Sequence, residues 1–270
     1  MPELPEVEFA RKQLSRWLKN AKIVRAEVVD ARILDAKVKG IAIEKSLTGR
    51  LVKSVERRGK WLRIVLDKGK IFSHFGMTGK WVLAENDKPV RFEKIRLDIV
   101  QGQGKKKFSV SYADPRLFGR FVVAEKDLDA WSSLGPDPLN DGIDADALHL
   151  KLMRRSLPIK PTLLDQKVLA GIGNIQATEA LFFARIDPRR PSNQLSRKET
   201  GAIVKGIEKS LRETLALQKG PKLTYVEEAG AENQFTIYGH GDEPCPNCGT
   251  PLKKIALAGR GTVFCPRDQK

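Results

Sequence analysis

The sequence is poor in the residues that extracellular and membrane proteins use most. It contains only three cysteines, three histidines and three methionines among 270 residues. Three cysteines cannot close a complete set of disulfides, which favours a reducing cytoplasm over secretion. No apolar run approaches the roughly 18 residues of a membrane span, and Glu3, Glu6 and Glu8 argue against an N-terminal signal peptide. We therefore expect no membrane partner.

Acidic residues are also scarce relative to basic ones. Lys and Arg number 49 against 33 Asp and Glu, so the formal net charge is +16. Hydrophobic residues make up 41% and charged residues 30%, which fits a folded globular protein and excludes a disordered chain. The excess positive charge favours a polyanionic partner, and nucleic acid is the foremost candidate.

The first half of the chain is rich in β-structure. Val7, Ala10, Leu14 and Leu18 recur at helical spacing and predict an opening amphipathic helix. Runs rich in Val, Ile and Phe then predict strands. These runs are Lys22–Val29, Leu51–Asp67, Lys70–His74, Ile95–Gln101, Phe108–Asp114 and Arg120–Glu125. We expect residues 1–132 to form a β-sandwich or a partly open barrel.

The second half changes to a helical period. Ser132–Asp144 is rich in Pro, Gly and Asp and predicts a linker. Helices are predicted after the capping residue Asp144, over Asn174–Ala184, and from Ser196 to Gly220. We therefore expect an α+β multidomain chain with a β-sandwich at 1–132, a helical domain at 133–233 and a terminal hairpin at 234–270.

The first site is the N-terminus, which reads Met-Pro-Glu-Leu-Pro-Glu-Val-Glu. Removal of Met1 leaves a secondary amine on Pro2, which is a nucleophile near neutral pH. Attack on a sugar C1′ gives an iminium, which acidifies the C2′ proton and permits elimination, and Glu3 is the nearest acid for proton transfer. The alternative is that Pro2 and Glu3 simply begin a helix.

The second site is Gly171-Ile-Gly-Asn-Ile, at the start of a predicted helix. Two glycines permit a tight turn with a close backbone approach, and Asn174 with the helix N–H groups suits a phosphate. The alternative is an ordinary corner between two helices.

The third site is Cys245-Pro-Asn-Cys248 followed by Cys265-Pro-Arg-Asp268. Two knuckles separated by a basic hairpin are typical of a zinc ribbon, although Asp268 stands where a fourth Cys is usual. We expect one zinc per chain, with His240 as the other nearby candidate ligand. A hairpin that holds no metal is the alternative.

Two loops and one charged turn complete the set. Met77 lies between two glycines, and Arg116 lies near Phe118 in Asp114–Gly119. Such residues on loop tips can enter a base stack and fill the space that a displaced base leaves, although each alone is more often a core or turn residue. Arg57–Trp61, which contains Lys60, also reads as a solvated charge run on a hairpin.

Taken together, these motifs and their order resemble formamidopyrimidine-DNA glycosylases over essentially the whole chain. The resemblance implies a β-sandwich, a helix–two-turns–helix domain and a zinc finger. It also implies a base-excision repair enzyme that removes oxidised purines, such as 8-oxoguanine and formamidopyrimidines, from duplex DNA and then nicks the strand as an AP lyase.

The resemblance assigns roles residue by residue. It implies Pro2 as the Schiff-base nucleophile, Glu3 as proton donor, Lys60 in β-elimination, and Arg260 as a phosphate-gripping residue assigned to δ-elimination. The residues that it places against DNA are Met77, Arg116, Phe118, Arg155, Lys160 and Asn174. The metal set is Cys245, Cys248, Cys265 and Asp268.

Three departures from the family pattern stand out. Asp268 replaces a Cys, the segment Lys222–Phe235 is shorter than the usual recognition loop for the damaged base, and Gln176 and Thr178 replace the commoner residues after Gly-Asn-Ile. A glycosylase for oxidised pyrimidines of the endonuclease VIII type and a non-catalytic DNA-binding relative remain the alternatives. Leu4, Arg116 and Phe118 favour the purine-lesion branch. We expect a monomer that binds damaged double-stranded DNA in the bacterial cytoplasm, associated with the nucleoid.

Overall fold

The computed structural model describes residues 2–35, 39–84, 88–102, 106–218 and 232–270. The chain divides into an N-terminal unit, Met1–Pro2 with Glu6–Ser132, and a C-terminal unit, Glu3–Pro5 with Ser133–Lys270. Domain boundaries at residues 132 and 233 stay a prediction. Most of the short segment at 222–235 lies outside the described residues, as does the expected helix end at Gly220.

The opening helix is confirmed as α1, which runs over Leu4–Leu18. Its buried stripe contains Val7, Leu14 and Leu18, as the helical period of the sequence predicts. The helix begins after Pro2 and Glu3, so neither residue belongs to its first turn.

Two antiparallel four-stranded sheets form the body of the N-terminal unit. Their orders are β1-β6-β7-β5 and β2-β3-β4-β8. The strands are β1 Ala21–Val28, β2 Val52–Arg58, β3 Trp61–Leu66, β4 Lys70–His74, β5 Lys80–Ala84, β6 Glu93–Gln101, β7 Lys106–Ala113 and β8 Arg120–Ala124. Short helices α2 (Gly40–Leu47) and α3 (Asp129–Ser132) complete the unit.

Aromatic side chains join the two sheets. Trp81 on β5 and Tyr112 on β7 each have a ring centroid 6.2 Å from that of Phe121 on β8. Buried and less buried residues alternate along β3 and β6, because successive side chains point to opposite faces of a strand. The sandwich architecture is therefore confirmed.

The strand predictions differ from the structure in three places. The long run Leu51–Asp67 is two strands, β2 and β3, joined by a two-residue turn in which Gly59 has a φ of +55°. The five-residue strand β5 and the helix α2 were not predicted. Strand β5 reads Lys-Trp-Val-Leu-Ala, which is not one of the runs rich in Val, Ile and Phe, and α2 has no side-chain cap at its start.

The described part of the C-terminal unit contains four α-helices. They are α4 Ala145–Leu152, α5 Ile159–Leu164, α6 Asn174–Ala184 and α7 Arg197–Leu217. The predicted cap of α4 is confirmed, since Asp144 accepts hydrogen bonds from the backbone N–H groups of Asp146 and Ala147. The apolar core of these helices includes Leu152, Leu163 and Ile207.

Helices α6 and α7 approach each other closely. A Cβ at Gly206 would lie 2.3 Å from the carbonyl oxygen of Ala180, so only glycine fits there. The amide of buried Gln176 accepts a hydrogen bond from the Ser210 hydroxyl and donates one to Thr214. The family departure at Gln176 is thus a satisfied polar contact between the two helices.

The segment Ser132–Asp144 packs on its neighbours and does not behave as a free linker. The N–H of Gly135 donates to the carbonyl of Gln166, and the carbonyl of Pro136 accepts from Ala170 N–H, both at 2.9 Å. The side chain of Asp137 is buried and accepts hydrogen bonds from the backbone of the turn that follows it. Proline and glycine here mark an ordered loop.

The terminal hairpin pairs β9 (Lys253–Leu257) with β10 (Arg260–Phe264). Its two-residue turn, Ala258–Gly259, has positive φ at both positions, as the right-handed twist of a tight hairpin favours. Within the described ranges, no helix is long and apolar enough to cross a membrane.

Helix α7 begins with a capping box. Ser196 accepts a hydrogen bond from Glu199 N–H, while the Glu199 carboxylate accepts from Ser196 N–H. We expect Ser196→Ala to lower the stability by about 1 kcal/mol and the Tm by roughly 2–4 °C. Thermal unfolding checks this, with Ser133→Ala at an exposed loop position as the control. Equal Tm values for both variants would contradict the role of the cap.

Candidate functional site

The carboxylate of Glu3 lies on the N-terminus of helix α6. Its Oε1 accepts a hydrogen bond from Ile175 N–H at 2.8 Å, and its Oε2 accepts from Gln176 N–H at 3.0 Å. The side chain is buried, with the residue only 2% exposed. The first N–H groups of a helix attract an anion. The sequence predicted a phosphate at this position, whereas in the structure these two N–H groups bind a carboxylate of the chain itself.

The two glycines before α6 are explained by the same contact. A Cβ at Gly173 would lie 2.2 Å from Cδ of Glu3, and one at Gly171 would lie 2.6 Å from the side chain of Leu4. Gly171 also has a φ of +92°, and its carbonyl accepts a hydrogen bond from Leu4 N–H. The close backbone approach that the glycines permit is therefore that of residues 3 and 4.

Pro2 directly precedes this anchored carboxylate and is itself buried. Because α1 begins at Leu4, the alternative that Pro2 and Glu3 form its first turn does not describe the structure. The Glu3 side chain caps the start of α6, not the start of α1, which follows it in the chain.

Lys60 occupies the β2–β3 turn of the N-terminal unit. The fully buried side chain of Arg57 supports this turn, since its Nη1 donates to the carbonyl of Gly59 at 3.2 Å. Its Nε donates to the carboxylate of Glu8 on α1 at 3.0 Å. Burial raises the pKa of Glu8, but hydrogen bonds from Arg11 and Arg57 outweigh it, and the net pKa is lowered. The charged turn is thus tied to α1 and is not wholly solvated.

The loops that carry Met77 and Arg116 are brought together by one buried carboxylate. Asp114 accepts hydrogen bonds from the Thr78 hydroxyl at 2.7 Å and from the backbone N–H groups of Arg116 and Gly119. Its residue is fully buried. The Arg116 guanidinium lies 4.9 Å from the centroid of the Phe118 ring, and that ring is 55% exposed.

The C-terminal unit gathers Lys160, Asn174 and the start of β10. Nζ of Lys160 and Nδ2 of Asn174 each donate to the carbonyl of Gly261 at 3.1 Å, and Lys160 also donates to the Thr262 hydroxyl. Burial lowers the pKa of Lys160 to about 8. Arg260, next to this contact, is exposed. The Oδ1 atom of Asn174 is buried and has no hydrogen-bond partner among the residues that the structure describes.

Arg155 forms an ion pair within the C-terminal unit. Its Nη1 donates to the carboxylate of Asp165 at 2.8 Å, and both side chains are one-third exposed. The structure therefore gives this predicted DNA-contacting residue an intramolecular partner.

The three cysteines form a compact cluster in the terminal hairpin. The sulfur atoms of Cys245, Cys248 and Cys265 lie within 4.8 Å of one another, and in the part of the chain that the structure describes no carboxylate or imidazole joins them. Three thiols at this spacing suit zinc. The Asp268 carboxylate instead accepts from Asn247 Nδ2 at 2.7 Å and lies 3.6 Å from Nε of Arg185. Its backbone N–H points to the sulfur of Cys265, at 3.3 Å.

His240 is not part of the cluster. Its Nδ1 lies 3.0 Å from the carboxylate of Glu243, and its Nε2 is buried with no hydrogen-bond partner in the described ranges of the chain.

Some residues of this site were not foreseen from the sequence. Glu179 on α6 accepts hydrogen bonds from the N–H groups of Thr236, Ile237 and Tyr238, which anchors the start of the hairpin segment. Gln269 binds the backbone of Cys265 and Ile186. An acid in the middle of an apolar helix was the available signal for Glu179. Asp114 and Arg57 are recognised only through contacts distant in sequence.

The family models that match cover almost the whole chain. The formamidopyrimidine-DNA glycosylase N-terminal domain matches residues 1–121, the H2TH domain of the same enzymes matches 134–225, and the zinc finger found in FPG and IleRS matches 242–270. A zinc-finger domain with its three-cysteine cluster is therefore present.

Known proteins resemble the chain along its full length. A formamidopyrimidine-DNA glycosylase of Desulfitobacterium hafniense is 38% identical, covering 98% of each chain, and one of Pseudomonas paraeruginosa is 34% identical, covering all of both.

The solved structures include the Lactococcus lactis formamidopyrimidine-DNA glycosylase bound to DNA containing an AP site. Its TM-score is 0.85 at 31% identity, with 99% of each chain covered. A complex of the same enzyme with DNA containing FAPY-dG has a TM-score of 0.86 at 30% identity, covering 99% of this chain and all of the other. The chain thus belongs to the formamidopyrimidine-DNA glycosylase family.

Proposed function

We propose that this protein is a base-excision repair enzyme that removes oxidised purines from duplex DNA and cleaves the strand as an AP lyase. The observation that carries the proposal is the N-terminus. A buried proline directly precedes a carboxylate that two helix N–H groups hold in place. The relatives support the substrate class, because one of them is solved with FAPY-dG DNA and with AP-site DNA.

In the proposed reaction, the secondary amine of Pro2 forms a bond to C1′ of the damaged nucleotide, and the bond from C1′ to the base breaks. The amine gives up its proton, and the displaced base takes one up. The C1′–O4′ bond then breaks as O4′ takes up a proton, which leaves an iminium between Pro2 and C1′. Loss of the C2′ proton converts this iminium to an enamine, and the electron pair of the enamine expels the 3′ phosphate in β-elimination. Glu3 transfers protons at the sugar, and Lys60 takes part in the removal of the C2′ proton. Arg260 assists the departure of the second phosphate.

The remaining residues bind the duplex. Met77, Arg116 and Phe118 fill the space left by the flipped nucleotide, which offsets part of the few kcal/mol that flipping costs. Asn174, Arg155 and Arg260 contact phosphates. Lys160 contributes by holding the β9–β10 hairpin beside Arg260, since its ammonium donates to Gly261 and Thr262.

We also propose that the enzyme acts as a monomer in the bacterial cytoplasm, on DNA of the nucleoid. The reducing environment suits its cluster of free thiols. The relatives named above are bacterial, which supports this location.

Borohydride trapping tests the central claim. We expect covalent complexes on a duplex with 8-oxoguanine opposite cytosine and on an abasic duplex, both lost or much reduced in Pro2→Gly. The amine must be free, so mass spectrometry should find Met1 removed. Trapping on the abasic duplex alone would keep the lyase and exclude this lesion. A strong preference for a thymine glycol duplex would favour the oxidised-pyrimidine alternative, and no trapping on any duplex would favour a non-catalytic DNA-binding protein.

Salt dependence separates phosphate contacts from indirect support. We expect Arg260→Ala and Asn174→Ala to weaken binding to all duplexes and to reduce the slope of log K against log salt by up to about one each. Lys160→Met should weaken binding without reducing the slope, because its ammonium donates to the hairpin. A slope reduced by about one in Lys160→Met would place this charge on a phosphate.

We propose one zinc per chain, held by Cys245, Cys248, Cys265 and Asp268. Asp268 occupies the fourth position of the knuckle pattern, and its N–H already faces a cluster sulfur. Zinc would fix the hairpin that carries Arg260. Metal analysis should return about one zinc per chain, and Asp268→Ala should speed zinc release to a chelator while Arg267→Ala should not. Unchanged release in Asp268→Ala would move the fourth ligand to His240 or water, and a folded, active, zinc-free protein would contradict the site.

A further inference from the structure

His74 lies at the base of the loop that carries Met77. It is the last residue of β4, and its Nδ1 accepts a hydrogen bond from the N–H of Gly76 at 3.0 Å. A side-chain acceptor that binds the N–H two residues ahead fixes the start of a turn, as Asn does in an Asx-turn. The imidazole therefore holds the backbone immediately before Met77.

The position of Gly76 matters for the neighbouring loop as well. A Cβ at Gly76 would lie 2.2 Å from the carbonyl oxygen of Phe118, and the φ of Gly76 is +58°. The two loops thus touch backbone to backbone at this residue. The carbonyl of His74 also accepts a hydrogen bond from the Tyr112 hydroxyl, at 2.9 Å. A shift of the Gly76 peptide would move Met77 relative to Phe118.

The surroundings of the imidazole keep it neutral. His74 pairs with Trp61 on the neighbouring strand β3 and with Arg120 on the neighbouring strand β8. The centroids of the His74 and Trp61 rings are 5.1 Å apart. Burial, followed by the charges of Lys60 and Arg120, lowers the pKa of His74 to about 4. At neutral pH the Nδ1 lone pair is therefore free to accept the Gly76 hydrogen bond, with the ring proton on Nε2.

We propose that His74 is a positioning residue for base flipping, which sets the Met77 loop through the hydrogen bond from Gly76 to its Nδ1. This role rests on the proposed function, in which Met77 enters the base stack. If His74 has this role, its replacement should slow only base excision, the step that needs the Met77 loop. Excision of a stacked base requires Met77, whereas cleavage at a site that has already lost its base requires Pro2 and the elimination residues.

Two variants separate the acceptor from the bulk of the ring. Asn places an oxygen near the position of Nδ1, and Gln extends past it. We expect His74→Gln to slow single-turnover excision of 8-oxoguanine by about tenfold, the effect of one lost hydrogen bond. Cleavage of a preformed abasic duplex should stay within about twofold of wild type, since one contact outside the chemistry is lost. His74→Asn should remain close to wild type on both substrates.

Coupling to the loop gives a further check. If His74 acts through Met77, the double variant His74→Gln, Met77→Ala should excise no more slowly than Met77→Ala alone. Nitrogen NMR of the wild-type imidazole should also find the neutral tautomer with the proton on Nε2, a measurement that needs no variant to fold.

Several results would overturn the proposal. These are equal excision rates for the Asn and Gln variants, an equal loss on the lesion and abasic duplexes, additive effects with Met77→Ala, or a proton on Nδ1. Failure of the wild-type protein to cleave even the abasic duplex would instead contradict the proposed lyase function, while the NMR result would still decide the hydrogen bond.

Discussion

The carboxylate of Glu3 on the first N–H groups of α6 is the interaction on which the proposed chemistry depends. Helices are usually capped by a residue just before them, but Gly173 stands there and offers no side chain. The cap comes instead from a residue about 170 positions earlier, directly after Pro2. The residue that follows the proposed nucleophile Pro2 in the chain therefore has its side chain fixed on a buried helix.

Buried carboxylates organise the functional loops in the same way elsewhere. Asp114 ties the Met77 loop to the Arg116 loop, and Glu179 binds three successive N–H groups ahead of the terminal hairpin. Each carboxylate accepts hydrogen bonds from loop N–H groups that no strand or helix satisfies, a role that water would otherwise fill. The residues proposed to contact DNA on these loops are therefore carried by backbone that is fixed inside the fold, which limits the entropy that binding would cost.

Sequence reasoning succeeded where a pattern is local and long. Helices α1 and α7 follow from their apolar period, α7 also follows from its cap Ser196, and the zinc-finger hairpin follows from its cysteine spacing. It gave β2 and β3 as one run and suggested a hairpin only through the charged segment Arg57–Trp61, because the two-residue turn Gly59–Lys60 barely interrupts the run. It foresaw a close approach at Gly171 and Gly173 but did not identify residues 3 and 4 as the groups that approach, since their position depends on tertiary packing. Contacts such as that of Arg57 with Glu8 leave no periodic signal.

The carboxylate of Asp114 anchors both the Met77 loop and the Arg116 loop, which limits how either loop can change alone. Because one carboxylate serves Thr78 and Gly119, and because Gly76 touches Phe118, the two loops form a single exchangeable block. An insertion in one of them would leave a buried charge short of its donors unless the other adjusted. A loop grafted alone from a relative would leave Asp114 with fewer donors, so the two loops have to be exchanged together.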